Sequence, residues 1–239
     1  MKPFYALCCL LLVTACARPS EEAAGYFEEA RAQLDRGEYV AAEQLLTQAI
    51  AADSTPAAYF NARGVARFEL TQYERALEDY DRAVARADDD YKPYYNRGRT
   101  HIARRDYPAA VADFDAALGR DSSVAEIWNN RGVANHLAGR YPQAVNDFSR
   151  ALALDSTNGV MFFNRGKLHY LMENFEAARR DFDATLRVSP NFTEAHYARG
   201  LSRLALGEEA GCDDIQTAVA RGFERIDEEI KERCGAAQP

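Results

Sequence analysis

The sequence predicts an all-α fold: an α-solenoid of about six helix-turn-helix repeats followed by a C-terminal capping helix. Three observations carry this expectation. Glycines recur at Gly64, Gly98, Gly132, Gly166 and Gly200, with a spacing of 34 residues each time (98 − 64, 132 − 98, 166 − 132, 200 − 166). Alanines and aromatic residues keep the same phase. Each period holds two helical stretches separated by turn residues. A fixed period of this kind marks units that bury their apolar faces only by stacking on their neighbours.

The chain opens with MKPFYALCCLLLVTAC, one lysine followed by an apolar run too short to span a bilayer. It reads as a signal peptide over 1–15. The end of the run, Val13-Thr14-Ala15-Cys16, resembles a bacterial lipobox. That resemblance implies cleavage before Cys16 and lipidation of its thiol, with 16–22 as anchor and short linker. An ordinary signal peptide, with Cys16 incidental, is the alternative. No aspartate follows the cysteine, so the resemblance favours the outer membrane, facing the periplasm, over inner-membrane retention.

The array is expected over 23–222. With the glycine at position 8, repeats begin at Ala57, Tyr91, Ala125, Gly159 and Thr193, and a divergent first copy begins at Ala23. Position 4 carries Tyr26, Phe60, Tyr94, Trp128, Phe162 and His196. Position 20 carries Ala42, Ala76, Ala110, Ala144 and Ala178, and position 24 carries Leu46, Tyr80, Phe114, Phe148 and Phe182. This pattern resembles the tetratricopeptide repeat family. The resemblance implies antiparallel helix pairs wound into a right-handed superhelix, with the first helices lining a concave groove. Glycine costs a helix about 1 kcal/mol relative to alanine. Here it lets the paired helices approach. Turns such as Arg36-Gly37-Glu38-Tyr39 divide the helices, and clusters such as Asp53-Ser54-Thr55-Pro56 are expected to cap the next repeat.

Arginine stands before each glycine, at Arg63, Arg97, Arg131, Arg165 and Arg199. Aspartate stands at position 23 as Asp79, Asp113, Asp147 and Asp181. Asp214 takes that place if the last turn is one residue shorter. The first repeat has Glu29 and Leu45 instead and so lacks both partners. This co-occurrence predicts an Arg–Asp bridge between the helices of each repeat. The alternative is a row of surface arginines whose stems cover apolar area.

By the family resemblance, the groove is lined by Asn61, Tyr95, Asn129, Phe163 and Tyr197 at position 5, by Asn96, Asn130 and Asn164 at position 6, and by Arg99 and Lys167 at position 9. An asparagine amide donates and accepts, so it can hold a peptide backbone without reading its sequence. Three at one repeat spacing resemble the asparagine ladder of the enzyme that attaches N-acetylglucosamine to proteins. The alternative is that these amides bond to neighbouring helices and hold the stack.

After the sixth repeat, 223–239 is expected to form the capping helix and tail. Cys212 and Cys234 each lie 11 residues from Phe223 (223 − 212, 234 − 223), so an antiparallel hairpin sets them level and predicts a disulfide; two buried free thiols are the alternative. The chain carries 29 Lys and Arg against 37 Asp and Glu, a net charge of −8, which argues against a nucleic-acid partner. The four histidines are scattered and there is no Cys-x-x-Cys pair, so no metal or cofactor is expected. A glycine-rich phosphate loop, a nucleophile elbow and a His-Glu-x-x-His motif are all missing, so no enzyme activity is expected. The reading is a lipid-anchored adaptor or scaffold that binds a protein or peptide at the bacterial cell envelope. A structural subunit that uses its outer surface or ends is the alternative.

Overall fold

A computed structural model describes residues 19–87 and 89–235. Thirteen helices and no strand occur among them. They form six pairs: α1 (Pro19–Asp35) with α2 (Tyr39–Ala52), α3 (Ala57–Glu69) with α4 (Tyr73–Val84), and α5 (Lys92–Ala103) with α6 (Tyr107–Leu118). Next come α7 (Ala125–Leu137) with α8 (Tyr141–Leu154), α9 (Gly159–Leu171) with α10 (Phe175–Val188), and α11 (Thr193–Ala205) with α12 (Gly211–Ala220). A short α13 (Glu228–Cys234) closes the chain. Each helix packs on its sequence neighbours, and α1 touches α3, α3 touches α5, α5 touches α7 and α9 touches α11. This is the solenoid the 34-residue period predicts.

The core repeats with the sequence. Tyr80, Phe114, Phe148 and Phe182 are all buried, as are Ala76, Ala110, Ala144 and Ala178. Each ring lies directly on the glycine of its own repeat. A Cβ added to Gly64 would meet Tyr80 at 2.5 Å, one on Gly132 would meet Phe148 at 3.0 Å, and one on Gly166 would meet Phe182 at 2.8 Å. Gly200 differs, because its nearest neighbour would be the Gly211 carbonyl oxygen at 2.7 Å, so two backbones make the contact there. In the second to fifth repeats the recurring glycine therefore makes room for one aromatic ring.

Every turn within a repeat places one residue in the left-handed region, at Gly37, Thr71, Arg105, Gly139, Glu173 and Gly207. Between repeats, Asp53, Asp121 and Asp155 do not cap the following helix. Each folds its side chain onto the residue two places on, Asp53 accepting from Thr55 N at 2.9 Å and from its hydroxyl at 2.7 Å. Asp121 does the same with Ser123, and Asp155 with Thr157. These bonds hold all three carboxyls below the usual carboxylate range. Among these linkers, Asn158 does cap a helix, accepting from the Val160 amide at 3.0 Å.

The five arginines are internal bridges rather than surface cover. Arg63 donates to Asp79 through Nε at 2.9 Å and Nη2 at 2.7 Å. Arg97 grips Asp113 with the same fork at 2.9 and 2.6 Å. Arg131 grips Asp147 at 3.2 and 2.6 Å, and Arg165 grips Asp181 at 2.8 and 2.7 Å. Arg199 binds Asp214, across a turn one residue shorter. The remaining Nη1 reaches back one repeat, to Thr47 Oγ1, Asp81, Asp115, Ser149 Oγ and Asp183 in turn. Each guanidinium thus ties three helices together. For Arg97 and Arg199, bonding to the paired carboxylates raises the pKa; for Arg131 it does so against burial.

Two expected boundaries move. Helix α1 starts at Pro19, so residues 19–22 belong to the first helix and not to a linker. The expected capping helix starts at Glu228 and not near 223. Gly222 adopts φ +86°, 221–227 runs without helix, and Asp227 caps α13 by accepting from Glu229 N at 3.0 Å. Ile226, before α13, and Ile230, within it, pack on the same cluster around Leu204 and Ile215. Gly235 terminates α13 in the left-handed conformation. Cys212 and Cys234 are joined, with Cα atoms 5.0 Å apart. The 1–15 leader and Cys16 lie outside the described residues.

Candidate functional site: the face of the first helices

Successive first helices present positions 2, 5, 6 and 9 of the repeat on one side. Two clefts open there. One, of about 470 Å³, lies at the N-terminal end and includes Phe27, Asn61, Val65 and Lys92. The other, of about 620 Å³, lies at the C-terminal end between α9, α11 and the 222–225 segment. Phe163, Lys167 and Tyr197 line this second cleft together with Tyr170, Leu171 and Leu201.

The asparagines are not a free ladder. Asn96 Nδ2 donates to Asn61 Oδ1 at 3.0 Å, and Asn130 Nδ2 donates to the Tyr95 hydroxyl at 3.1 Å and to the Glu126 carbonyl at 2.8 Å. The physical reason is register. Position 6 of one repeat lies beside position 5 of the preceding one, 35 residues earlier (96 − 61, 130 − 95). These amides therefore stitch first helices together. The corresponding third pair, Asn129 and Asn164, makes no such bond, and Asn129 Oδ1 is buried without a partner.

Cations and aromatic rings dominate the rest of this face. The Arg99 guanidinium lies over Phe68 at 5.0 Å and over Tyr95 at 5.9 Å, and Lys167 Nζ lies over the Phe163 ring at 5.7 Å. Among the described residues, neither Arg99 nor Lys167 has a carboxylate within 4.0 Å. Phe163 stacks against Phe182 and Phe192, with centroids 5.7 and 4.6 Å away. Tyr197 stacks on Phe223 at 4.5 Å. Burial raises the pKa of Tyr95, Tyr170 and Tyr197, so each phenol is neutral near pH 7. Burial, aided by Lys167, lowers that of His136 and favours the uncharged ring.

Two features escape sequence reasoning. Position 11 is a second contact of the buried aspartate. Arg67 donates to Asp79 at 2.7 Å, Asn135 to Asp147 at 2.8 Å and Arg203 to Asp214 at 2.7 Å. His101 and His169 approach Asp113 and Asp181 at 3.7 and 4.0 Å. The signal was present, since Arg67, His101, Asn135, His169 and Arg203 all bear nitrogen at one register. The second feature is the 222–225 wall of the larger cleft, for which no periodicity exists.

Comparison with known proteins agrees with this architecture. The family model described as tetratricopeptide repeat matches residues 27–91, 95–159 and 163–211. No curated protein matches the sequence. Among solved structures, one described as a functional characterization of Pseudomonas aeruginosa pilF superposes with a TM-score of 0.75 at 18% identity, covering 90% of this chain and 97% of that one. YrrB, described as a protein with an unusual peptide-binding site, superposes with a TM-score of 0.64 at 19% identity, over 74% of this chain and 91% of its own. MamA gives 0.64 at 18% identity, over 66% and 93%. At these identities the likeness is one of fold.

Proposed function

The chain belongs to the tetratricopeptide repeat family, and on that premise we propose that it is a non-catalytic adaptor that seats an extended segment of a partner protein on the face of its first helices. The observation that carries this reading is the pair of cations, Arg99 and Lys167, held over aromatic rings without carboxylate partners among the described residues. The arginines inside the array are paired with aspartates. Arg86 and Arg120 also lie over rings without a carboxylate, but they follow second helices; Arg99 and Lys167 stand on the first helices and are left for something outside the chain. YrrB, with its peptide-binding site, is a precedent for this use of the fold.

The asparagines play a smaller part than their spacing implied. Asn96 and Asn130 shape the floor by joining repeats. Asn164 carries no such bond and remains an amide offered to a ligand.

The proposed setting is the bacterial cell envelope, with lipid on Cys16 and the array beside the outer membrane. It rests on the sequence of the first eighteen residues alone. Among the described residues no helix is long and apolar enough to cross a membrane. Two acyl chains on Cys16 are enough for stable attachment, so the Cys16→Ser chain is expected to stay unprocessed, with its leader attached, or to leave the membrane fraction. If it is processed and still stays there, the lipid assignment is wrong.

The binding reading is tested by capture of partners from detergent-solubilised envelope with the native chain and with Arg99→Glu plus Lys167→Glu. Loss of specific partners supports the groove. Retention of all of them moves the interaction to the outer surface or the ends of the array.

A further inference from the structure

The segment 221–227 does more than lead into the last helix. Gly222, Phe223, Glu224 and Arg225 form one wall of the 620 Å³ cleft, facing α9 and α11. Phe223 presses its ring on Tyr197, itself one of the lining side chains. The wall is not part of any helix; Phe223 on Tyr197 and Ile226 beside Leu204 and Ile215 seat its middle, and its two ends hold it in place. At the near end, Phe223 N donates to the Ala218 carbonyl at 3.0 Å and Arg221 donates to the Pro190 carbonyl at 2.9 Å. At the far end it is held by α13, a helix of seven residues that packs on α12. So short a helix is not stable by itself. It is fastened by the Cys212–Cys234 bond, by Gln216 Nε2 donating to the Cys234 carbonyl at 2.7 Å, and by the Arg233–Glu209 pair.

Resting on the peptide-groove reading above, we propose that this strap completes a selective pocket only when the disulfide is formed. The pocket's occupant is a large apolar side chain, aromatic or branched aliphatic, next to a single side-chain carboxylate on an extended partner segment. The apolar part follows from the lining. Phe163, Tyr170, Leu171, Tyr197, Leu201 and Phe223 surround a space within the range of ligand pockets, roughly 300–1,000 Å³. The single carboxylate follows from the charges. Lys167 is exposed, sits on the Phe163 ring, and has no acidic partner among the described residues. Glu194 and Glu224, both exposed, also line the cleft and repel a second acid. With Arg225 the lining carries two cations and two carboxylates and no net charge, so the place beside Lys167 takes one acid and an acidic run is not favoured. Reduction by a dithiol reagent converts the bond to two thiols while the reagent closes to its own disulfide, and frees α13 and the strap together.

The test is a chemical-shift titration of the isotope-labelled mature chain with blocked ten-residue peptides. Each peptide is N-acetylated and C-amidated and carries one central pair in a glycine–serine chain. Phe-Asp is expected to shift cleft resonances, with Ala-Asp and Phe-Lys binding at least tenfold more weakly. Dithiothreitol, the Cys212→Ser/Cys234→Ser chain, and Phe223→Ala are each expected to weaken Phe-Asp binding at least fivefold. Circular dichroism checks that these chains stay folded. Lys167→Glu changes an exposed side chain and is expected to reverse the order of Phe-Asp and Phe-Lys. Phe-Asp affinity unchanged by reduction and by the double serine variant overturns the disulfide-dependent strap, whatever Phe223→Ala does. A version with a free C-terminal carboxylate binding more tightly overturns the internal-segment assignment. Shifts elsewhere on the first helices overturn this inference and leave the groove reading intact, whereas shifts confined to the second helices overturn both.

Discussion

Removing either partner of the Arg131–Asp147 bridge should cost more than its share, and the excess can be worked from the structure. The Asp147 side chain is 2% exposed and accepts from Arg131 and from Asn135. Arg131→Met takes away the guanidinium and leaves that carboxylate buried with one neutral donor. Stranding a buried charge in this way costs about 3–5 kcal/mol. The opposite change is milder. In Asp147→Ala the guanidinium, 19% exposed, keeps Asp115 and lies 4.7 Å from the Trp128 ring centre. Leaving such a group partly satisfied costs about 1–3 kcal/mol. The double variant buries no charge, so its loss should fall short of the sum of the single losses by about 2 kcal/mol or more. Urea titration followed by circular dichroism measures all four chains, and an unchanged m-value shows that the same unit is unfolding. Losses that add to within about 0.5 kcal/mol would refute the coupling, and with it the view that the arginine row holds the array from inside.

Gly132→Ala brings a Cβ to 3.0 Å from the edge of the Phe148 ring, while Gly200→Ala brings one to 2.7 Å from the Gly211 carbonyl. A ring can tilt and a backbone cannot, so overpacking of about 1–3 kcal/mol should be offset by helix propensity in the first but not the second. Thermal melts that reverse this order contradict the packing argument. Thr71 is β-branched and holds φ +59°, so Thr71→Gly should raise stability by about 0.5–1 kcal/mol, read as a higher urea midpoint. Burial holds His136 and His169 below the ordinary 6.5. Between 6.5 and those lower values the unfolded chain binds more protons, so stability is full above 6.5 and falls as pH drops through the window. The urea midpoint should be lower at pH 5.5 than at pH 7.5, and the gap should narrow in His136→Gln/His169→Gln. An equal gap in that variant would remove the histidines as its source.

The parts of the molecule that were legible in the sequence are those that repeat with one chemical type. Glycine at position 8 and the aromatic at position 24 meet in every repeat from the second to the fifth because one packing solution is copied. Arginine and its aspartate could be paired because both vanish from the first repeat. The backward contact of each arginine was not legible. Its acceptor is Thr47, Asp81, Asp115, Ser149 or Asp183, a position that keeps an oxygen while changing residue type. The asparagine row was visible but ambiguous. Spacing alone cannot tell an amide offered to a ligand from one given to the preceding helix, and Asn96 and Asn130 went to the helix. The wall at 222–225 had no periodic signal. Ile226 and Ile230 stand four residues apart, the spacing of one helix face, but Gly222 and the cap at Asp227 place the helix start after Ile226.

The central claim is that partners sit on the first helices, and site-specific photo-crosslinking in the cell tests it most directly. Val160, at an exposed position 2 of its repeat, is replaced by a photoreactive phenylalanine analogue, and so, separately, is Arg180 on the exposed side of a second helix. The account predicts discrete adducts from position 160, lost when Arg99→Glu and Lys167→Glu are added, and none from position 180. Adducts from position 180 that persist with both charge reversals, with none from position 160, would contradict it.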